Sequence, residues 1–151
     1  MILVQPMVDS VTQNLSMFGF APEYKGVSDI QGNEISLGDV HVLFGLTDGL
    51  HGSLTFGFKM PTAMNIVSFM MGGMEMPSFD EMCQSALGEL GNMIVGTGLN
   101  NAQSPTLINF SPPTLVVDGH IFISTKESKT QKLEFELNGT PFYIAINLEN
   151  Q

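Results

Sequence analysis

The stretch from Ser78 to Asn101, SFDEMCQSALGELGNMIVGTGLNN, reads as one long helix, and the rest of the chain must supply a surface for it to lie on. Ser78 and Glu81 match an S-x-x-E capping box, and Asp80 falls in the first turn, where the helix dipole favours negative charge. Met82, Cys83, Ala86, Leu87, Leu90, Met93 and Ile94 then recur at helical spacing and form a broad apolar arc for a core. A second set, Ser85, Glu89, Asn92 and Gly96, is spaced i, i+4, i+7, i+11. On an ideal helix these four share an arc of roughly 60° pointing away from that core. The result is a narrow ridge of one acid, one amide and two small residues, flanked by Met82 and Met93. It is the candidate functional surface.

The remaining pattern tells the fold class. A helix is predicted from Pro6 to Phe18 on the stripe Met7, Val8, Val11, Leu15 and Phe18, closed by Gly19. A short strand is expected over Tyr24–Ile30, with a turn at residues 31–33. The runs Val40–Leu46 and Ser53–Phe58 form a hairpin marked by Asp48-Gly49. Pro61 starts a helix running from Thr62 to Met71, ended by Gly72-Gly73. Past the long helix come strands at Leu107–Phe110, Thr114–Val117 and Ile121–Ser124, with a Pro112-Pro113 break and a turn at Asp118-Gly119. A solvated loop over Lys126–Lys132 leads to strands Lys132–Leu137 and Phe142–Leu148, joined at Asn138-Gly139. Helices and strands come in runs rather than alternating. That argues for a single α+β domain over residues 1–151, with a largely antiparallel sheet and long helices packed on one face.

Charge and composition exclude several functions. The formal charge is −10, and all five basic residues are lysines. A nucleic-acid surface needs a basic footprint, usually with arginine forks, so nucleic acid is disfavoured, and an anionic membrane for the same reason. There is one cysteine, Cys83, so neither an internal disulfide nor a cysteine zinc cluster can form. It sits on the apolar arc with no base nearby, which reads as an inert buried thiol. No basic leader and no membrane-length apolar run is present, so a cytoplasmic location is expected.

Most chemical motifs fail on spacing. The glycines at 88, 91, 96 and 98 match no phosphate loop and lie inside the helix rather than ahead of it. Gly88 and Gly91 lie on neither arc nor ridge, and close packing is the expected compensation for a cost of about 1 kcal/mol each against alanine. His41, His51 and His120 are isolated, read as surface or half-buried, and no metal site is expected. Seven methionines between Met60 and Met82 read as adaptable core, apart from Met74 and Met76, assigned to a loop near the long helix. Glu89 and Asn92 include no nucleophile and no metal cluster. If they act in catalysis, they complete a site on another molecule.

Ser85 to Gly96, S-A-L-G-E-L-G-N-M-I-V-G, resembles the D/S-x-x-x-E-x-x-N signature of the CheX/CheC/FliY phosphatases, which dephosphorylate the chemotaxis regulator CheY. G-S-L-T-F-G-F, N-I-V-S-F-M-M and F-S-P-P-T-L-V-V-D-G are similar to CheX segments in the same order, covering about Val40 to Val117. CheC carries two signature helices and this chain one, which favours the CheX type. The resemblance implies a CheC/CheX-like domain acting on a phosphorylated receiver. Asn92 would orient the attacking water and Glu89 would pair with the receiver's lysine. Ser85, Gly96, Met82 and Met93 would contact the partner. No cofactor of its own is implied, since Mg²⁺ belongs to the receiver. The family includes dimers, so a homodimer through an edge of the C-terminal strands is an expectation too. A receiver-binding adaptor on the same scaffold, and a structural module whose ridge packs on a second copy, stand as rivals.

Overall fold

The structure, a computed structural model, describes residues 3–32, 34–104, 106–122 and 128–149. In chain order the elements are α1 (Val4–Ser16), β1 (Glu23–Ile30), β2 (Glu34–Ile35), β3 (Val40–Asp48), β4 (Gly52–Phe58), α2 (Met60–Met70) and α3 (Glu81–Asn101). There follow β5 (Asn109–Phe110), β6 (Thr114–Val117), β7 (Ile121–Phe122), β8 (Ser128–Leu137) and β9 (Thr140–Glu149). The main sheet runs β1-β8-β9-β4-β3, with β5 and β6 both pairing the far edge of β3, and every pair is antiparallel.

Period-two alternation decides which face is covered. Val40, Val42, Phe44 and Leu46 of β3, Leu54, Phe56 and Phe58 of β4, and Phe142, Ile144 and Ile146 of β9 join the helices in one core. Leu133, Phe135 and Leu137 extend it across β8, where the Phe135, Phe142 and Phe58 rings stack at centroid distances of 5.1 and 5.4 Å. The opposite face carries a smaller cluster of Ile35, Leu37, Ile121 and Ala145 under the β2–β7 ribbon. The fold class is the one expected. Strand β7 lies where a strand is expected from Ile121, but its partner β2 and their pairing are not foreseen, because a two-residue strand leaves no periodicity to read.

Helix α3 is held by small residues and buried polar bonds. The Ser10 hydroxyl of α1 donates to the Ile94 carbonyl of α3 at 2.6 Å, and Asn14 Nδ2 donates back to the Ser10 carbonyl at 2.9 Å. Met7 lies over Gly98, where an added Cβ would come within 2.5 Å of its sulfur. On the sheet side Gly91 faces the Phe44 ring, and Gly88 faces Pro113 and Leu115. The glycines at 88 and 91 thus serve close packing, as expected.

The edge beside α3 is broken where prolines remove donors. Leu43 pairs Thr114 and Leu46 pairs Phe110, so three residues of the edge strand oppose two of β3. Ser111 bridges the bulge: its N–H donates to the Gly45 carbonyl and its hydroxyl accepts from the Gly45 N–H, both at 2.8 Å. Pro112 and Pro113 follow, donating nothing and leaving an edge unsuited to a further strand.

Several expectations need correction. The N-cap of α3 is Asp80, whose carboxylate accepts from the Cys83 N–H at 3.0 Å, not a Ser78–Glu81 box. An acid next to the first turn outcompetes a hydroxyl two residues earlier. Met82 is 52% exposed and Met93 half-buried rather than core. Both lie at the border of the apolar arc, nearer the ridge than the arc's centre. Met74 and Met76 lie in the loop before α3 as expected, but Met76 is buried in the core, while Met74 is exposed. His41 is wholly buried, not superficial. The loop expected up to Lys132 is, from Ser128 on, part of β8. Its alternating polar residues sit on a strand flanked on both sides, so pairing overrides their loop-like composition. Helix α1 starts and ends two residues early, α2 starts at Met60 and ends at Met70, and β5 is limited to Asn109–Phe110. Residues 33 and 123–127, and with them parts of the expected turn, strand and loop there, lie outside the described residues.

Candidate functional site

The ridge forms as the spacing predicts. Cys83, Ala86, Leu87, Leu90 and Ile94 are buried, which turns Ser85, Glu89, Asn92 and Gly96 outward. Ser85 and Glu89 are exposed and Asn92 and Gly96 are half-exposed, with exposed Met82 and half-buried Met93 beside them. Among the described residues neither Glu89 nor Asn92 is engaged in a hydrogen bond or ion pair, so both present their full bonding capacity to solvent. No lysine or arginine lies between Lys59 and Lys126, so neither α3 nor the β5–β6 edge supplies a cation to Glu89.

Alongside the ridge runs a groove of about 420 Å³. Gln84, Ser85, Gly88 and Glu89 form one wall, and Pro113 and Leu115 of the bulged edge form the other. Sequence reasoning missed Pro113 and Leu115 as parts of the site, because a proline pair reads only as a strand break. The signal was there: a helical glycine at 88 needs something large against it, and this edge provides it. Where α3 begins, the Cys83 N–H holds the Asp80 carboxyl below the usual carboxylate range. Burial, reinforced by Asp80, pushes the Cys83 thiol up, and its Sγ donates to the Ser78 carbonyl at 3.3 Å. The thiol is therefore protonated and occupied, as the inert reading required.

The arrangement offers one carboxylate, one amide and small neighbours on a rigid convex helix. Among the described residues no three of His, Cys, Asp and Glu come together as a metal site, and no helix is long and apolar enough to cross a membrane. Ser85 is the ridge's hydroxyl, and among the described residues it has no hydrogen-bonded base to activate it. Such a surface can position and polarise groups carried by another molecule.

Comparison with known proteins gives a concordant result. A family model described as chemotaxis phosphatase CheX matches residues 40–136. The CheY-P phosphatase CheX of Thermotoga maritima is 36% identical over 116 residues, covering 76% of this chain and 74% of that protein. The crystal structure of a CheX from Desulfovibrio desulfuricans superposes with a TM-score of 0.87 at 24% identity, covering 99% of this chain and all of that one. CheX in the CheX–CheY–BeF3–Mg²⁺ complex of Borrelia burgdorferi superposes with a TM-score of 0.77 at 19% identity, covering 97% of each chain. The three-helix, antiparallel α+β architecture is the one these relatives share. With the signature helix, its flanking edge and the matched span in place, the chain belongs to the CheX family of chemotaxis phosphatases.

Proposed function

We propose that this protein hydrolyses the aspartyl phosphate of a CheY-like receiver, with Asn92 and Glu89 as the groups it contributes. The Thermotoga relative bears the name of a CheY-P phosphatase, and the Borrelia relative was crystallised with CheY, beryllofluoride and Mg²⁺. The observation that carries the reading for this chain is the free, outward Glu89–Asn92 pair on a helix packed tightly behind it.

The division of labour follows from what each group can do. A phosphorylated receiver already holds the acyl phosphate, a Mg²⁺ ion and a lysine. Asn92 offers a carbonyl oxygen that accepts and an NH₂ that donates, so it can fix a water by two bonds in line with phosphorus. An amide is no base, and none is needed when the leaving group is a carboxylate and the transition state is loose. Glu89 accepts a charged hydrogen bond from the receiver's lysine and sets the register of the two molecules. Ser85, one turn earlier, contributes a small contact that lets the receiver close on the helix.

The test is phosphate release from a phosphorylated receiver. Asn92→Ala is expected to cut the acceleration by about 10²-fold or more while binding of a beryllofluoride-loaded receiver persists. Glu89→Ala is expected to raise KM. Full acceleration by Asn92→Ala rejects the assigned role. Binding by the unaltered protein without any acceleration leaves an adaptor instead.

A further inference from the structure

Four glycines interrupt α3, and packing accounts for three of them. An added Cβ would come 2.5 Å from Met7 Sδ at Gly98, 3.0 Å from the Phe44 ring at Gly91 and 3.2 Å from Leu115 at Gly88. At Gly96 the nearest atom is on the Phe110 ring at 3.8 Å, an ordinary van der Waals contact. Gly96 has helical backbone, sits well inside α3 and is half-exposed. A glycine there weakens the helix relative to alanine, and the fold gives nothing in return.

Its position supplies the reason. Gly96 lies one turn beyond Asn92 on the same face with nothing packed in place of a side chain, whereas at Gly88, one turn before it, Leu115 and Pro113 fill that place. An asparagine amide stands only one carbon beyond Cβ. It can enter a recessed pocket only if the residues on either side stand lower than it does. Beyond Gly96 the surface falls into a cleft of about 590 Å³, lined on the helix by Leu99 and Asn100 and opposite by Leu107 and Phe110. Among the described residues none lining it is charged, the Asp48 carboxylate being one hydrogen bond away on the lining Asn109 (Nδ2 donating at 3.0 Å), whereas the groove at the other end is itself lined by Glu81 and Glu89. Leu107 is 78% exposed.

We infer that Gly96 is a clearance residue, and that it and the cleft beside it seat a loop of the receiver bordering the phosphorylation pocket. The loop's main chain runs over Gly96 and an apolar side chain of it lies on Leu107 and Phe110. A receiver's phosphate site is rich in carboxylates, and an uncharged cleft on a chain of net charge −10 is where such a rim meets least repulsion. The inference rests on the assignment of Asn92 above.

Gly96→Ala and Gly96→Leu test it, beside the unaltered protein and an Asn92→Ala, Gly96→Leu double variant. Each is measured for melting temperature, for kcat and KM on a phosphorylated receiver, and for binding of a beryllofluoride-loaded receiver. Both single variants are expected to melt at or above the temperature of the unaltered protein, since each replaces a helical glycine. Gly96→Leu is expected to lower kcat/KM by about 10²-fold and to weaken binding, with Gly96→Ala intermediate. The double variant is expected to lose binding as well, since the obstruction acts without turnover. A kcat/KM for Gly96→Leu within about twofold of normal overturns the inference and leaves the role of Asn92 standing. An unaltered protein that neither binds nor accelerates removes both.

Discussion

Phe44 is caught between Phe56 and Phe110, with centroids 5.9 and 6.0 Å away, and its ring meets α3 at Gly91. It is wholly buried, so it has no room to yield. Gly91→Ala is therefore expected to destabilise the protein by about 1–3 kcal/mol in urea unfolding, outweighing the gain in helix propensity. The opposite sign at Gly96 would separate a glycine kept for packing from one kept for approach. His41 poses a different single-residue question. Its Nε2 accepts from the Leu37 N–H at 2.9 Å, which leaves the ring proton on Nδ1, buried without a partner. Burial, with a smaller contribution from His120 and against the pull of Asp39, depresses its pKa. The unfolded chain then binds a proton near pH 6.5 that the folded chain resists, so stability is lost as pH falls through that value. The melting temperature should decline on acidification below it, and more steeply than in His41→Gln, where an amide oxygen can replace Nε2 as acceptor.

Among the elements, α3 was the most legible, and its ridge with it. A long helix with a dry side repeats its signal over several turns, and the outward residues follow by subtraction. The cap was misread because three candidates, Ser78, Asp80 and Glu81, crowd one turn, and only geometry shows which oxygen reaches an orphan N–H. Asp80→Ala should therefore lower the melting temperature by a few degrees while Ser78→Ala leaves it unchanged, and Asp80→Asn should recover most of the loss. Because the folded-state pKa of Asp80 is depressed, its stabilisation is present at neutral pH and lost as pH falls through that depressed value. The first half of strand β8 is hard to read because Lys129 and Gln131 look like loop residues until Lys129 is seen paired with β9 and Gln131 held between β1 and β9. The far wall of the groove was illegible for a related reason. Pro113 and Leu115 reach α3 only through pairing with β3, a relation between segments more than 60 residues apart that no local pattern encodes.

For the molecule as a whole, charge and topology set the terms of encounter and assembly. A chain of net charge −10 approaching a carboxylate-lined phosphate site is slowed at low salt. Raising ionic strength toward 0.15 M, where the Debye length is about 8 Å, should increase kcat/KM for receiver dephosphorylation; a decrease would place a net attractive field between the partners. The order β1-β8-β9-β4 has a further result. The two strands synthesised later, β8 and β9, are inserted between two synthesised earlier, so β1 and β4 each wait for a neighbour until residues 128–149 have emerged. A nascent or clipped chain ending short of Ser128 would leave Phe56 and Phe58 beside an open rim, and such truncated products are the ones a cell's chaperones and proteases should meet first.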